Sequence, residues 1–224
     1  AGTLILIRDL TELRDRDRQL VTKDATIREI HHRVKNNLQT VAALLRLQSR
    51  RMSNSDAKDA LKQAMGRVSA IAVVHEILSQ NFEEQVAFDE VADRILHMVG
   101  DVAASSGSVV ARREGSFGEV PAETATALSL ATTELCQNAI EHSLDSSSGN
   151  VIVRPHRTDD ALVVDIVSDG KPLPEGFSLD NHRSSLGLSI VTTLMQDLGG
   201  TFTLEDNSDR VGTCARLVIP LQRL

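Results

Sequence analysis

Aromatic side chains are nearly missing from this chain of 224 residues, which contains five Phe, no Trp and no Tyr. Any hydrophobic core must therefore be built from aliphatic side chains. Cysteine is equally scarce, since Cys136 and Cys214 stand far apart, each within an apolar stretch. Such a pair is typical of reduced core residues rather than of a disulfide framework, and no Cys and His spacing suggests a zinc site.

Long apolar runs and a surplus of basic residues are missing too. No run reaches the roughly 18 apolar residues that a membrane-spanning helix needs, and no signal peptide is visible, so we expect a cytoplasmic protein without a membrane span. The formal net charge of −7 argues against a direct nucleic-acid surface. Walker and Rossmann glycine patterns are absent, so the sequence gives no support to those nucleotide-binding folds.

Residues 27–51 form the most informative stretch, because they contain neither glycine nor proline and place apolar residues at helical spacing. Ile27, Val34 and Val41 fall on one stripe of the predicted helix. His31 falls on the same stripe and His32 lies beside it, since neighbours in a helix point about 100° apart. The pattern predicts one buried and one accessible imidazole. An accessible imidazole serves as a nucleophile, as a metal ligand or as an ordinary surface residue.

The run His-Arg-Val-Lys-Asn from His32 to Asn36 closely resembles the phosphoacceptor helix of the histidine kinase subfamily with that signature (HisKA_2, HWE-like). The resemblance implies that His32 accepts phosphate from ATP, with His31 as the second choice. A neutral imidazole nitrogen is a good nucleophile near pH 7. Many histidine kinases carry an acidic residue directly after the acceptor, and here that place holds Arg33. The general base therefore stays open between Glu134, Asn36 and none.

A second amphipathic helix is predicted after a break at residues 53–56, with Ser55 as its N-cap. Its apolar face includes His75, for which core packing is the expected role. Two such helices joined by a short loop form an antiparallel hairpin, which leaves one apolar stripe in water. We therefore expect a homodimer in which two hairpins form a four-helix bundle. Residues 1–20 resemble the end of a PAS sensor domain and a coiled-coil linker.

Glu134, Asn138, Glu141 and His142 share one face of another predicted helix. A solvated helix face is the ordinary explanation, but carboxylate and amide oxygens are also the ligands that Mg²⁺ prefers. The stretch resembles the N box of the GHKL ATPase domains. That resemblance implies that Asn138 binds Mg²⁺ and phosphate oxygens and that Glu134 helps to position the metal or a water. His142 would then lie near the phosphates.

Ser168, Asp169 and Gly170 resemble the G1 box of the same domains, normally Asp-x-Gly-x-Gly, whose Asp accepts the adenine amino group. Aligning Gly170 with the first Gly puts Ser168 in the Asp place, and Pro172 stands where the second Gly belongs. Strand alternation agrees with this alignment, because Ser168 falls on the same side as Leu162 and its apolar companions. A one-residue deletion would instead let Asp169 read adenine. Asp169 is preferred at this stage because a carboxylate is the better acceptor.

Leu186, Gly187 and Leu188 resemble the G2 box at the start of a predicted helix. A glycine at a helix start lets the backbone approach a phosphate, which the free N–H groups then face. Gly212 and Thr213 match the late Gly-Thr element of the family. These boxes occur in the order of a GHKL domain, so the resemblance implies that their residues contact the nucleotide.

The sequence thus predicts an α+β protein in three parts. They are the PAS-like end and linker at residues 1–20, a helical-hairpin dimerisation and phosphoacceptor domain at 21–80, and a GHKL α/β sandwich at 86–222. The resemblance implies a sensor histidine kinase of a two-component system, which uses ATP and Mg²⁺ to phosphorylate itself on His32. It then passes the phosphoryl group to an aspartate of a response-regulator receiver, which in soluble relatives has an RNA-binding antiterminator output. The alternative is a GHKL-fold ATP-binding scaffold or an anti-sigma-type serine kinase without histidine autophosphorylation.

Overall fold

Two long helices form the first region of the protein. A computed structural model describes residues 11–80, 85–104, 109–144, 148–179, 185–208 and 211–221, with side chains from Ala25 onward. Helix α1 (Thr11–Arg51) is continuous over 41 residues, and α2 (Ser55–Gln80) returns beside it over 26 residues. The predicted antiparallel hairpin is therefore confirmed. The PAS-like end predicted before Thr11 lies outside the described residues.

The loop between the two helices shifts the predicted N-cap by one residue. The side-chain oxygen of Asn54 accepts hydrogen bonds from the backbone N–H groups of Asp56, at 2.8 Å, and Ala57, at 3.3 Å. Asn54 is therefore the capping residue, and the prediction of Ser55 is wrong because Ser55 is already the first helical residue. Asn and Ser are almost equally good caps, so residue type alone does not favour either position.

Helix α2 buries two different faces. One face packs along α1 in the hairpin. The other face carries Ala70, Val74 and Ile77, which are buried in the same hydrophobic core as the residues of the following region. The hairpin is therefore packed directly against the rest of the protein.

The second region is a layer of helices on a mixed sheet. Its elements are β1 (Gln85–Ala87), α3 (Phe88–Ala104), β2 (Val109–Arg113), β3 (Glu119–Pro121), α4 (Ala122–Asn138), a π-helical turn (Ala139–Ser143), β4 (Gly149–Arg157), β5 (Ala161–Ser168), α5 (Leu186–Asp197), β6 (Thr201–Asp206) and β7 (Thr213–Pro220). The sequence predicts a linker at residues 81–87 and a loop at 115–121. Instead, β1 and β3 pair with each other as a short antiparallel ribbon.

The main sheet has the strand order β2-β4-β5-β7-β6. Only β2 and β4 are parallel, and α4 lies between them in the chain, whereas the other neighbours are antiparallel. Leu162, Val164 and Ile166 alternate along β5 on the face that α3, α4 and α5 cover, and all three are buried. The hairpin followed by an α/β sandwich confirms the predicted α+β fold. Among the described residues, no helix is both long and apolar enough to cross a membrane.

Candidate active site

The two neighbouring histidines of α1 point in different directions, as the helical phase predicts. His32 is exposed, whereas His31 is half-buried and turns towards α2. The Nδ1 atoms of His31 and His75 are 2.9 Å apart and share one hydrogen bond. Burial lowers the pKa of His31, and both burial and the charge of His31 lower the pKa of His75. His75 is thus an inner-face residue, but it pairs with a polar partner rather than packing only against apolar ones.

Glu134 on α4 is held by the hairpin. Its side chain is only 3% exposed, and Arg67 of α2 binds both of its oxygens. The Nε–Oε1 distance is 2.7 Å and the Nη2–Oε2 distance is 2.9 Å, so the pair is bidentate. The hydrogen bond to Glu134 raises the pKa of Arg67, which stays charged at any pH at which the protein is folded.

Asn138 lies one turn after Glu134 on the same helix face. Its Nδ2 atom is buried and has no hydrogen-bond partner among the described residues. Gly187, at the start of α5, approaches both side chains: a Cβ atom there would lie 2.7 Å from Glu134 Oε2 and 3.5 Å from Asn138 Nδ2. The N box and the G2 segment therefore meet, and a buried amide without a partner is the feature expected where a polar ligand binds.

The other predicted residues around this point differ in accessibility. Leu186 is exposed and Leu188 is buried, with its backbone N–H 3.4 Å from the capping oxygen of Ser185. His142 and Glu141 are exposed on the π-helical turn, and Glu141 accepts a hydrogen bond from Gln63 of α2 at 3.3 Å. His142 therefore lies at the surface at the end of the N-box helix.

Three hydroxyl groups meet at the other end of the site. Ser168 is 1% exposed, and its Oγ lies 2.7 Å from Ser143 Oγ and 2.9 Å from Thr213 Oγ1. The backbone N–H of Thr213 also donates to Ser168 Oγ, at 3.3 Å. Two glycines allow this close approach. A Cβ at Gly170 would collide with the backbone of Ser143, and a Cβ at Gly212 would collide with the backbone of Ser168.

Asp169 points away from this cluster. Its carboxylate is exposed and accepts hydrogen bonds from the backbone N–H of Asn150, at 2.7 Å, and from its side-chain amide, at 2.6 Å. It fixes the start of β4 to the end of β5. Of the two residues that the sequence left open, Ser168 therefore faces the buried side at the end of β5 and Asp169 faces outward.

Two families account for most of the chain. Residues 29–103 match the family described as histidine kinase, and residues 123–223 match the histidine kinase-, DNA gyrase B- and HSP90-like ATPases. The chain belongs to the histidine kinases. The predicted helical domain of the histidine kinase family and the predicted GHKL sandwich are both confirmed at the level of family and fold. The role of His32 as phosphoacceptor stays a prediction.

Similar proteins agree with this assignment. The sensor histidine kinase PdtaS of Mycobacterium tuberculosis is 51% identical over 99% of this chain, and PdtaS of Mycolicibacterium smegmatis is 48% identical over 99%. The chain spans 44% and 45% of these two relatives, which is less than half of their length. The histidine kinase domain of a blue-light-activated histidine kinase of Erythrobacter litoralis superposes with a TM-score of 0.63 at 26% identity. That match covers 92% of this chain and 94% of that domain.

Sequence reasoning missed Arg67 and Ser143, two residues of this histidine kinase that contact predicted site residues. Nothing in the sequence pairs Arg67 with an acid 67 positions away. One signal was present: Gly66 lies inside a helix, where glycine often marks a close approach. A Cβ at Gly66 would lie 2.5 Å from Gln137 Nε2 on α4, so α2 and α4 cross at this point.

Proposed function

We propose that this chain is the kinase part of a sensor histidine kinase, which phosphorylates itself on His32 with ATP and passes the phosphoryl group to an aspartate of a response-regulator receiver. The observation that carries the proposal is the contact between α2 and α4. It puts the N box of the ATPase region directly against the hairpin whose other helix presents an exposed histidine.

The nucleotide is assigned to the region between α4, the end of β5 and the start of α5. The N–H group of Gly187 would face the phosphates, joined by that of Leu188 if it leaves the capping oxygen of Ser185, and Ser168 with Thr213 would face the base. Asn138 and Glu134 are the ligands proposed for Mg²⁺, in line with the preference of that ion for oxygen donors. The unpartnered amide of Asn138 supports a polar ligand here. Bound Mg²⁺ would supply positive charge against the phosphate oxygens.

The transfer step follows from these roles. The lone pair of a neutral His32 ring nitrogen forms the new P–N bond to the γ-phosphorus. The β,γ-bridging oxygen leaves with the electron pair of the broken bond, as ADP. The exposed position of His32 leaves its ring open to such an approach. We keep His31 as the second-choice acceptor, although its Nδ1 already bonds to His75.

A homodimer, a receiver partner and the domain limits are proposed together with the kinase activity. The apolar residues of α1 that remain exposed support a homodimer through a four-helix bundle; they are Ile27, Ile30, Val41, Leu44 and Leu47. The receiver partner, with an RNA-binding antiterminator output, rests on family resemblance. We propose the domain limits 1–20, 21–80 and 86–222.

Labelling with γ-labelled ATP and Mg²⁺ tests the proposal in the wild type, His31→Gln and His32→Gln. We expect an acid-labile, base-stable label that is lost in His32→Gln and retained in His31→Gln. Loss only in His31→Gln would exchange the roles of the two histidines. Nucleotide binding without any label would instead favour the ATP-binding scaffold.

A further inference from the structure

Arg67 is a cation of the hairpin whose counter-ion belongs to the candidate nucleotide site. The guanidinium is 17% exposed, and the carboxylate of Glu134 is 3% exposed. Both oxygens of that carboxylate accept hydrogen bonds from Arg67. The two parallel N–H donors of Arg67 that could hold another anion are therefore occupied by Glu134 while the pair is intact.

The pair conflicts with the role assigned to Glu134. A carboxylate that helps to hold Mg²⁺ or to position a water must give up at least part of its bond to Arg67. Arginine does not lose its proton in proteins, so the guanidinium would then remain as a half-buried charge without a counter-charge. An unpaired charge away from bulk water is destabilising, so a second anion would stabilise Arg67 whenever Glu134 acts.

Only one anion is brought to this point by the proposed reaction. The start of α5, where phosphates are assigned, touches the same carboxylate, because a Cβ at Gly187 would lie 2.7 Å from Glu134 Oε2. The γ-phosphoryl group must also approach the hairpin in order to reach His32. A planar guanidinium binds phosphate oxygens with two parallel hydrogen bonds, as it now binds Glu134.

We infer that Arg67 is a further catalytic residue, which exchanges Glu134 for the γ-phosphoryl group of ATP during transfer to His32. The inference rests on the proposed function and adds a residue from the hairpin to the ATPase site. Arg67 donates only hydrogen bonds in this step. The P–N bond forms and the bond to the bridging oxygen breaks as described above, while the guanidinium keeps all its protons and its charge.

The test compares binding of two nucleotides with the rate of self-phosphorylation in Arg67→Gln. We expect affinity for an imido analogue of ATP to fall about tenfold or more, while affinity for ADP stays within about twofold. The maximal rate of His32 phosphorylation should fall about a hundredfold, since arginines that bind the transferring group contribute at least that much. Arg67→Lys keeps the positive charge but cannot donate two parallel hydrogen bonds, so it should recover only part of the loss.

Gln63→Ala is the matched control, because Gln63 also joins α2 to the N-box helix, through Glu141, but carries no charge. It should change none of these quantities by more than about threefold. Equal losses of ADP and analogue affinity in Arg67→Gln would show a purely structural role and overturn the inference. A faster rate would overturn it too, because Arg67 would then hold the kinase inactive.

The two proposals can fail separately. If the wild type gives no acid-labile label, the proposed function fails, and the analogue-to-ADP ratio of Arg67→Gln still decides whether Arg67 contacts the γ-phosphate. If the wild type binds neither nucleotide, both proposals are overturned.

Discussion

At the scale of single residues, the hydroxyl cluster of Ser143, Ser168 and Thr213 lies where we propose that the base binds. A hydroxyl group donates one hydrogen bond and can also accept hydrogen bonds, whereas an ionised carboxylate only accepts them. Ser168 faces inward and the neighbouring carboxylate faces outward because β5 alternates strictly up to its last residue. The sequence contained this alternation, whereas the preference for Asp169 rested on the strength of a carboxylate as an acceptor; which of the two residues reads adenine stays a prediction.

A pair of variants separates Ser168 from Asp169 in nucleotide binding. Ser168→Ala should lower ATP affinity by about threefold to tenfold, because a neutral hydrogen bond contributes about 0.5–1.5 kcal/mol. Asp169→Asn should leave ATP affinity within about twofold, since that carboxylate bonds to Asn150 at the sheet edge. Titration with a fluorescent ATP analogue measures both, and the opposite ranking would restore Asp169 as the base-reading residue.

The His31–His75 pair makes the hairpin sensitive to pH. The pKa of each ring is lowered from the ordinary value of 6.5, so the unfolded chain takes up protons before the folded one. The stability that the neutral pair contributes is therefore complete above pH 6.5 and is lost as the pH falls below that value. Lys35 and Glu76, the residue after His75, form an ion pair at 3.7 Å beside the two rings.

We expect the free energy of unfolding of the wild type to decrease between about pH 7.5 and 5.5, and to decrease less in His75→Gln. Chemical denaturation at several pH values measures it. His156→Gln serves as the control, because His156 is exposed on β4, outside the hairpin. Identical pH profiles for the wild type and His75→Gln would contradict a role for the histidine pair.

At the scale of elements, long periodic segments could be predicted and short or distant pairings could not. The pattern of residues 27–51 predicted α1 because apolar spacing over many turns is a strong signal. The ribbon of β1 and β3 escaped prediction because each strand has only three residues and its partner lies more than thirty positions away. The ion pair of Arg67 and Glu134 escaped for the same reason: it depends on how two helices cross.

Gly212, just before β7, packs directly against the backbone at the end of β5, and a substitution there measures how much this contact requires glycine. Its φ of 137° is unfavourable for other residues, and a Cβ there would collide with the carbonyl oxygen of Ser168. Gly212→Ala should therefore lower the free energy of unfolding by about 2 kcal/mol or more. Gly100→Ala in α3 is the contrast: nothing lies within 4 Å of its Cβ, so it should stabilise by about 0.5–1 kcal/mol. Thermal and denaturant unfolding compare the two, and equal effects would exclude a special role for Gly212.

At the scale of the whole molecule, α1 carries more apolar surface than one chain can cover. Leu44 is 57% exposed and Leu47 is 53% exposed, on a helix whose other face already packs along α2. A second hairpin would bury this surface, and burying one leucine contributes about 1.5–3 kcal/mol. The helical period could predict that an apolar stripe exists, but only packing shows which part of it α2 leaves uncovered.

Leu44→Glu should therefore weaken dimerisation by about a hundredfold or more, because the change occurs twice in a symmetric pair. Sedimentation equilibrium of the wild type and the variant measures the dissociation constant. Lys62→Glu, an exposed charge change on α2, should leave it nearly unchanged. A dimer that tolerates Leu44→Glu would place the interface on another surface.

The length of α1 has a mechanical consequence. At about 1.5 Å per residue its 41 residues form a rod of roughly 60 Å, which a force along the axis cannot shorten without breaking hydrogen bonds. Such a rod also transmits a twist about its own axis. Because the side chains of His31 and His32 point about 100° apart, a twist of little more than a quarter turn would bring His31 into the direction that His32 now has. Torque at the far end of α1 would then decide which imidazole meets the phosphate donor.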